Sequence, residues 1–514
     1  MAWASILPLF IGIFTACQKN DDPQYVAKEI GGNTYATVTI SLNGDRVRAE
    51  ADDNKVQYWN GNDKINTVDV YLVDDTPGDP STKGVSSGLY QLIDFDQKAA
   101  SGQIVLVPRK AIQTTQGNKH VYVLVNASEE IRRKLAVTSK ATFEANWNAI
   151  QEAYALSANA AQAKAGIEAL AKVDPSDEKD VVMMSNSAET TLVVKAGVTE
   201  SEALKPTSSN RAHVSVQRVA ARVVVTAGAT EYELKVPYYN GKTGEKVLGK
   251  LTHLKYSVAQ GERRFYIQQR SSNNLIQTPS YAFVPTETNL GGMVDYDYSG
   301  LYNRRDLPLS QELEKDIASS NPTFLLETSH EYGKEGGPTG GFRKGNTPYV
   351  LVEAKLTPDP SAIVDKGNIE ESGTFYVGAV NGAIYASKEN VTNPEKGGRI
   401  GQGVYTYTNG KVFYFAYINP DNKDNLWKTY NAPVFRNNVY RVKVTGFKSL
   451  GYNCNPFFPS YGPNQGFPNP DGNHDPGVQP PLHPYDPLFS EYTYMSVEVT
   501  VLKWNVKEIE VELH

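Results

Sequence analysis

The sequence predicts a mostly β protein made of two antiparallel β-sandwich domains, the first of which carries a helical insertion. Tyr residues number 31 against 17 Phe, and Thr and Val recur in short alternating runs bounded by Gly, Pro and Asn, a pattern typical of half-buried strands. The chain has 514 residues, which exceeds what one hydrophobic core usually serves. We therefore expect two domains of roughly 150 to 250 residues each.

The composition is that of a folded protein and points away from nucleic acid as a partner. Hydrophobic residues make up 40% and charged residues 21%, with a formal net charge of -6, so neither sign dominates strongly. The two cysteines are Cys17 and Cys454. They cannot form the disulfide framework seen in many exported domains.

The N-terminus has the features of a lipoprotein export signal. Residues 6–14 form one apolar stretch, too short for a stable transmembrane helix but the right size for a signal-peptide core. Small residues just before Cys17 resemble a bacterial lipobox, so we expect residues 1–16 to be a signal peptide and Cys17 to be lipidated. No Lys or Arg precedes the apolar run, which leaves the true initiating Met open. The alternative is a buried segment with an incidental cysteine, which fits poorly with polar residues 18–22.

After this segment, the sequence predicts a strand and then a protease-sensitive loop. Between residues 34 and 43, apolar residues alternate strictly with Thr and Ser, which predicts a strand with one buried face. Asn43 and Gly44 then predict a turn, followed by Arg46, Arg48 and very polar residues up to position 55. Exposed loops with Arg are sites where trypsin-like proteases cut.

The body of the chain is predicted to be two sandwiches, at residues 49–212 and 213–454. Residues 128–173 are rich in Ala, Glu, Lys and Gln, which favours a helical insertion in the first domain. Asn409 and Gly410 predict a hairpin turn between strands at 404–408 and 411–418, because both residues tolerate positive φ. The other strands are predicted at residues 67–73, 104–107, 120–125, 181–184, 190–194, 214–225 and 439–444.

The C-terminus combines a tether with two strand patterns. Residues 455–494 are rich in Pro, Gly, Asn and Asp, which predicts a long tether without helix or strand. In residues 495–514, two alternating apolar runs predict two strands, at 495–502 and 506–513.

Two interpretations of these terminal strands stay open on the residues alone. They can complete their own domain, or one can fill the slot that the cuttable first strand leaves in a neighbouring copy, which is β-strand addition. Burial of six apolar side chains would contribute about 10 to 18 kcal/mol before ordering costs.

The C-terminal region also resembles a known family. Residues 434–444, Leu450 with Gly451, Asn455 with Pro456, and residues 494–504 resemble the minor fimbrial subunits (fimbrillins) of Bacteroidales type V pili. The resemblance implies transthyretin/Ig-like sandwiches and a lipoprotein precursor that is cut by an arginine-specific protease. It also implies donor-strand exchange into a homopolymer, with adhesion to host or bacterial surface proteins.

The resemblance assigns roles to particular residues. Cleavage is expected after Arg48, which makes Ala49 the new N-terminus, with Arg46 as second choice. Residues 17–48 would then be a propeptide that holds the precursor to the outer membrane through its lipid. Accessory anchor and tip fimbrial proteins are expected partners. The expected donor-strand residues are Val497, Val499, Val501, Trp504, Ile509, Val511 and Leu513.

No cluster of residues in the sequence suggests a catalytic site, and we expect neither an enzyme nor a cofactor or metal site. The sequence lacks HExxH, CxxC, GxSxG and Walker motifs. Asp471 begins a segment like a calcium loop, but Pro476 and Leu482 occupy positions that an EF-hand gives to Gly and Glu. Ser329, His330 and Glu331 are assigned to a surface loop. Two rivals remain: a fimbrial anchor or tip protein that keeps its lipid, and a surface glycan-binding lipoprotein.

Overall fold

Strands dominate the protein, which confirms the predicted fold class. The computed structural model describes residues 32–42, 58–75, 84–100, 103–153, 167–237, 243–273, 275–319, 321–331, 341–418, 432–456, 483–488 and 495–505. Within these ranges, no helix is long and apolar enough to cross a membrane.

The strands are numbered in chain order. They are β1 (Thr34–Leu42), β2 (Tyr58–Asn60), β3 (Thr67–Asp74), β4 (Val85–Gln91), β5 (Phe95–Ala100), β6 (Gln103–Pro108), β7 (Ile112–Thr114), β8 (Gly117–Val125), β9 (Ile150–Glu152), β10 (Ala171–Val173), β11 (Asp180–Val182), β12 (Met184–Asn186), β13 (Thr191–Val194), β14 (Arg211–Arg218), β15 (Ala220–Ala227), β16 (Tyr232–Pro237), β17 (Glu245–Ala259), β18 (Gly261–Glu262), β19 (Arg264–Tyr266), β20 (Arg270–Ser272), β21 (Leu275–Gln277), β22 (Tyr296–Asp297), β23 (Arg305–Asp306), β24 (Thr323–Leu326), β25 (Tyr349–Pro358), β26 (Phe375–Gly378), β27 (Ile384–Tyr385), β28 (Val404–Tyr407), β29 (Lys411–Tyr417), β30 (Asn438–Phe447) and β31 (Met495–Asn505).

Helices are short and few among the described residues. The α-helices are α1 (Glu129–Leu135), α2 (Lys140–Asn148), α3 (Glu200–Ala203) and α4 (Leu313–Ile317). Single 3₁₀ turns lie at Leu92–Asp94, Gly291–Asp295, Ser299–Tyr302, Pro360–Ala362, Glu389–Thr392, Pro394–Lys396 and Thr408–Gly410.

The first domain is one ten-stranded sheet that curls around its main core. Its strand order is β4-β3-β8-β12-β14-β1-β6-β5, with β13 paired to β8 and β7 paired to β1. Side chains from both ends of this order share one buried cluster, including Tyr90 of β4 and Leu106 of β6. The hydroxyls of Ser86 and Thr114, 2.8 Å apart, join β4 to β7. The strand β1 therefore lies inside a nearly closed sheet.

The second domain is a sandwich of two sheets. A seven-stranded sheet has the order β2-β31-β30-β15-β24-β18-β22, and a five-stranded sheet has β16-β17-β25-β29 with β23 on β17. Val225 and Val442 of the first sheet share a buried cluster with Leu251, Val350 and Tyr414 of the second. Small two- and three-stranded sheets flank these layers, with the pairings β10-β11, β9-β19, β20-β21 and β27-β26-β28.

Two details differ from the predicted pair of antiparallel sandwiches. The pairs β1–β14, β15–β30 and β2–β31 run parallel, which is possible because the partners in each pair come from distant parts of the chain rather than from hairpins. The predicted run at 214–225 is two strands that belong to different domains. The sheets change at Val219, between β14 and β15, and not between residues 212 and 213.

In the described part of the predicted helical insertion, helices alternate with short strands. Ser128 and Ser139 cap α1 and α2 by accepting hydrogen bonds from the first-turn amides of Ile131 and Thr142. The helices bury Phe143 against Tyr71 of β3 and Tyr122 of β8. The short strands β9 and β10 follow within residues 128–173, and residues 154–166 lie outside the described ranges.

The predicted hairpin at Asn409 and Gly410 is wrong, although the predicted turn forms. Asn409 and Gly410 have φ values of 56° and 71°, as a turn of this kind requires. However, β28 pairs with β26, whereas β29 pairs with β25. The turn therefore passes the chain from one sheet to another.

A network of buried ion pairs joins the two domains. Arg218, at the end of β14, binds Asp63 with its Nε 2.8 Å from Oδ1 and its Nη2 2.5 Å from Oδ2. It also donates to Asn437 Oδ1 at 2.9 Å. Arg222 of β15 lies 3.0 Å from Asp180, whose pKa burial raises to about 6. Such pairs are costly to desolvate, so each charge depends on its partner.

Ser329 and His330 are buried, so the surface-loop assignment is wrong for both. They continue from β24 into the interior, where His330 Nε2 donates to the carbonyl of Asn346 at 2.9 Å. Burial lowers the pKa of His330 to about 4, which keeps the ring neutral. Glu331 is exposed, as expected.

Glu262 of β18 is buried in the same region. Burial raises the pKa of its carboxyl to about 8. The Thr278 hydroxyl contacts this carboxyl and lies 3.0 Å from the carbonyl of Ser329. Thr278 has one proton, so when it donates to Ser329, its oxygen can accept the proton of a neutral Glu262. The surroundings of Glu262 therefore suit the protonated acid.

Replacing Asp63 by Ala should strongly destabilise the chain, because the Arg218 guanidinium then stays buried without its carboxylate. The expected loss is about 3 to 5 kcal/mol in urea unfolding. Asp96→Ala is the matched control, since Asp96 forms an ion pair with Arg109 in which both side chains are about half exposed. That control should lose less than about 1 kcal/mol. Equal losses in the two variants would contradict this account of the domain junction.

Glu262→Gln should change how stability depends on pH. The folded carboxyl keeps its proton up to about pH 8, whereas the unfolded one releases it near its ordinary pKa of about 4.3. Stability of the parent chain should therefore fall as pH rises through this window. Urea midpoints at about pH 5 and about pH 8 should show a gain for Glu262→Gln at the higher pH. The change Glu129→Gln, at an exposed position, is the matched control. A Glu262→Gln variant whose pH dependence equals that of the parent chain would refute the assignment.

Candidate assembly site

The predicted removable strand, β1, lies in the middle of the first domain's sheet. On one side it runs parallel to β14, from Thr37 opposite Arg211 to Leu42 opposite Val216. On the other side it pairs antiparallel with β7 and then with β6. Both ladder edges of β1 are therefore occupied, and its removal would leave an unpaired edge on each side of the slot.

The apolar face of β1 forms part of the first domain's core. Ala36, Val38, Ile40 and Leu42 are at most 3% exposed and belong to the main buried cluster of the domain. Burial of the three larger side chains contributes about 5 to 9 kcal/mol. Loss of β1 would uncover this core along the length of the strand.

The middle of the opposite face of β1, at Thr37 and Thr39, is also buried, so the prediction of a strand with one buried face is wrong there. The hydroxyls of this face are held by neighbouring backbone and side-chain groups. Thr37 Oγ1 donates to the carbonyl of Ala203 in α3 at 2.9 Å, and Arg211 donates to Thr39 Oγ1 at 3.0 Å. Thr can be buried in this way because each hydroxyl has a partner, which alternation in the sequence does not reveal.

Asn210 anchors the start of β1 and was missed from the sequence. Its side-chain amide donates to the backbone carbonyl of Tyr35 at 3.0 Å, and its backbone carbonyl accepts from the backbone amide of Thr37 at 2.9 Å. Its Oδ1 accepts from the Lys195 amide at 2.8 Å. The only sequence signal was an Asn immediately before an alternating run.

The last described strand, β31, completes the sheet of its own domain. It pairs antiparallel with β30 from Met495 opposite Phe447 to Lys503 opposite Asn438. Val497, Val499 and Val501 are half-buried against the second domain's core, whereas Met495 and Leu502 are buried. In this state the strand occupies its own sheet, as in the simpler of the two interpretations left open by the sequence.

The pairing of β31 is one-sided over most of its length. Between positions 495 and 502, its other edge pairs with none of the described residues. The strand has the same alternation of apolar residues as β1, and at 11 residues it is long enough to span the 9 residues of that strand. A strand held on one edge is the kind of element that can leave its sheet.

Several predicted site residues lie outside the described ranges. These are Cys17, Arg46, Arg48, Ile509, Val511 and Leu513, and the segment that begins at Asp471 lies there as well. The backbone of Trp504 is the register partner of Trp59 in β2, but its side chain is outside the description.

Part of the predicted tether is attached to the second domain. The backbone amide of Gly345 donates to the carbonyl of Pro484 at 2.7 Å, and Lys344 Nζ lies 3.1 Å from Asp486. Leu488 is buried. Residues 483–488 form neither helix nor strand, as predicted for the tether, and they lie against the second domain; the intervening residues 457–482 lie outside the described ranges.

Comparisons with known proteins agree with the family resemblance. Residues 405–510 match the model of the major fimbrial subunit protein type IV, fimbrillin, C-terminal family. A solved fimbrilin from Porphyromonas gingivalis W83 covers 92% of this chain and 99% of its own, at 13% identity and a TM-score of 0.36, a likeness too distant to carry an argument. Two forms of the minor fimbrium subunit Mfa1 of Porphyromonas gingivalis are 31% and 30% identical to this chain, each over 97% of both chains. This chain therefore belongs to the fimbrillin family of minor fimbrium subunits.

Proposed function

We propose that this chain is a shaft subunit of a surface fimbria that polymerises by protease-triggered donor-strand exchange. The chain is a fimbrial subunit involved in adhesion, as its family membership indicates. The mechanism is supported by one observation above all. The strand that precedes the cuttable Arg residues fills a central slot that is buried on both faces.

In the proposed sequence of events, the protein is exported as a lipoprotein precursor held to the outer membrane through Cys17. While β1 is covalently attached, its effective concentration in the slot is very high, so a strand from another copy cannot compete. An arginine-specific protease then cuts after Arg48, or after Arg46, and β1 becomes a separate peptide. The slot can now exchange its occupant.

The donor comes from the C-terminal segment of the next copy. We propose residues 495–514, in which Val497, Val499, Val501 and Trp504 precede Ile509, Val511 and Leu513. Apolar residues at alternate positions match the side-chain period of the slot. Each copy would use its first domain to accept and its second domain to donate. The product is a homopolymer that also associates with anchor and tip fimbrial proteins and presents a surface to host or bacterial ligands.

Removing the cleavage site should stop assembly. The double variant Arg46→Ala, Arg48→Ala should remain uncut and monomeric, because β1 stays attached to its own slot. The single variant Arg48→Ala should shift the mature N-terminus from Ala49 to Val47. N-terminal sequencing and intact mass of sheared protein would be read beside an unboiled gel, on which wild-type polymers run as a heat-sensitive ladder. A full ladder from the double variant would refute proteolytic triggering, and polymers that begin at lipidated Cys17 would indicate an anchor.

Removing residues 495–514 should give a subunit that is exported and cut but cannot donate a strand. Because β31 completes the sheet of its own domain, the folding of the truncated subunit must be measured separately from its assembly. A correctly folded first domain still has a slot, so the truncated subunit should cap wild-type chains and shorten their ladder in mixtures. Removing only residues 506–514 tests whether the second alternating run is the donated one. If the variant that lacks residues 495–514 formed fibres by itself, the donor-strand mechanism would be refuted.

A further inference from the structure

The strand β2 joins the region of the predicted cut to the C-terminal strand. It is the next described strand after β1, and it is three residues long. It runs parallel to the end of β31, with Tyr58 opposite Lys503 and Asn60 opposite Asn505. In the seven-stranded sheet it is the outer edge strand, so it covers β31 from the side that faces away from β30.

This pairing changes how the end of β31 is held. At Lys503, the strand has Asn438 of β30 on one side and Tyr58 of β2 on the other. Over residues 495–502, only β30 pairs with it among the described strands. Lys503 is thus paired on both edges, whereas Trp504 and Asn505 pair with β2 alone among the described strands, just before residue 506, where the second predicted donor run begins.

The residues that follow β2 are firmly fixed. The carbonyl of Asn62 accepts from the amide of Asp180 at 2.8 Å, and the amide of Lys64 donates to the carbonyl of Asp180 at 2.9 Å. Between them, Asp63 forms the buried ion pair with Arg218. Arg218 in turn binds Asn437, immediately before β30. The C-terminal side of β2 is thus tied to the strand that carries β31.

The other side of β2 depends on β1. Residues 43–57 connect the two strands covalently, and β1 is held in its slot by pairing on both edges. A chain attached at both ends has less conformational freedom to lose when a strand within it pairs. With only three residues, β2 makes few ladder hydrogen bonds, so its pairing depends on how its ends are held. A cut after Arg48 removes one of these two attachments.

We propose that β2 is a clasp that retains β31 in the uncut chain and that the cut in the Arg loop loosens it. This inference rests on the proposed function, because it requires both the cut and a donated C-terminal strand. One cleavage then has two effects. It frees the slot in the first domain, and it weakens the hold on the strand that the second domain donates.

The new chain end does not restore the clasp. After cleavage at Arg48, residues 49–57 remain attached to β2, and in the parallel register they would run beside β31 towards Met495. This segment contains Glu50, Asp52, Asp53 and Asn54, residue types that are depleted in strands. It is therefore poorly suited to extend the pairing along the open edge of β31.

Hydrogen exchange tests the loosening directly. In dilute wild-type protein, before polymers form, amide exchange at Lys503, Trp504 and Asn505 should become at least about tenfold faster after the protease has cut. Amides in the centre of β15 should not change, because that strand is paired on both edges. Equal protection at residues 503–505 before and after the cut would overturn the clasp.

A reversible lock tests whether clasp opening is required. Trp59 and Trp504 are backbone register partners on neighbouring strands, so Trp59→Cys with Trp504→Cys is the pair of substitutions chosen to join β2 to β31 by a disulfide. The matched control is Glu233→Cys with Lys250→Cys, exposed partners on the β16–β17 pair. Cys454 is 1% exposed and shielded from oxidant. The oxidised lock should be cut normally, cap wild-type chains and fail to donate until dithiothreitol is added.

Loosening the clasp should have the opposite effect. Trp59→Pro removes a backbone donor from β2, and the cut protein should then polymerise about threefold faster or more. Ser271→Pro, on the short β20–β21 pair, is the matched control and should not change the rate. Equal rates for the two Pro variants, or polymerisation of the oxidised lock at the rate of its control, would refute the clasp. If cut wild-type protein formed no polymer, the proposed function itself would fail.

Discussion

The first domain depends on having a strand in the slot that β1 fills. Its sheet curls around one core, and β1 lies near the middle of the strand order with partners on both edges. The strand also contributes apolar side chains to the core on one face and bonded Thr hydroxyls on the other. An empty slot would expose apolar surface together with unpaired backbone groups, each of which is unfavourable. A subunit that loses β1 therefore needs another strand of the same period.

The proposed acceptor slot and the proposed donor strand lie in different domains, and this separation determines the kind of assembly that strand exchange would form. The slot belongs to the first domain, whereas β31 belongs to the edge region of the second. A contact between two different surfaces of identical chains is heterologous, and it gives a filament when the rotation between copies does not close. The buried ion pairs of Asp63 with Arg218 and Asp180 with Arg222 join the two domains. In the proposed polymer, they would fix the geometry between one joint and the next.

The sequence predicts the strands of this fold better than their partners. Alternation located β1, β3, β8 and β31, because a half-buried surface requires a period of two. It could not show that Thr37 and Thr39 are buried, since a buried hydroxyl depends on a carbonyl or Arg supplied by distant residues. The turn at Asn409 and Gly410 was also readable, but the strands on either side pair elsewhere. Local signals describe the backbone of a turn, whereas pairing depends on the whole sheet. The clasp strand β2 has too few residues to give any pattern.

The direction of the proposed exchange follows from how the two strands are held. Among the described strands, only β30 pairs with β31 over residues 495–502, and Val497, Val499 and Val501 stay half-exposed. The slot of the first domain offers pairing on two edges and full burial for four apolar side chains. A strand that moves from the first setting to the second gains backbone hydrogen bonds and apolar burial. The cut strand β1 makes the same contacts while it occupies the slot. Once it leaves as a separate peptide, it is diluted into the solvent. In the proposed mechanism, dilution of the cut strand and the slow escape of a strand paired on both edges would together make each joint effectively irreversible.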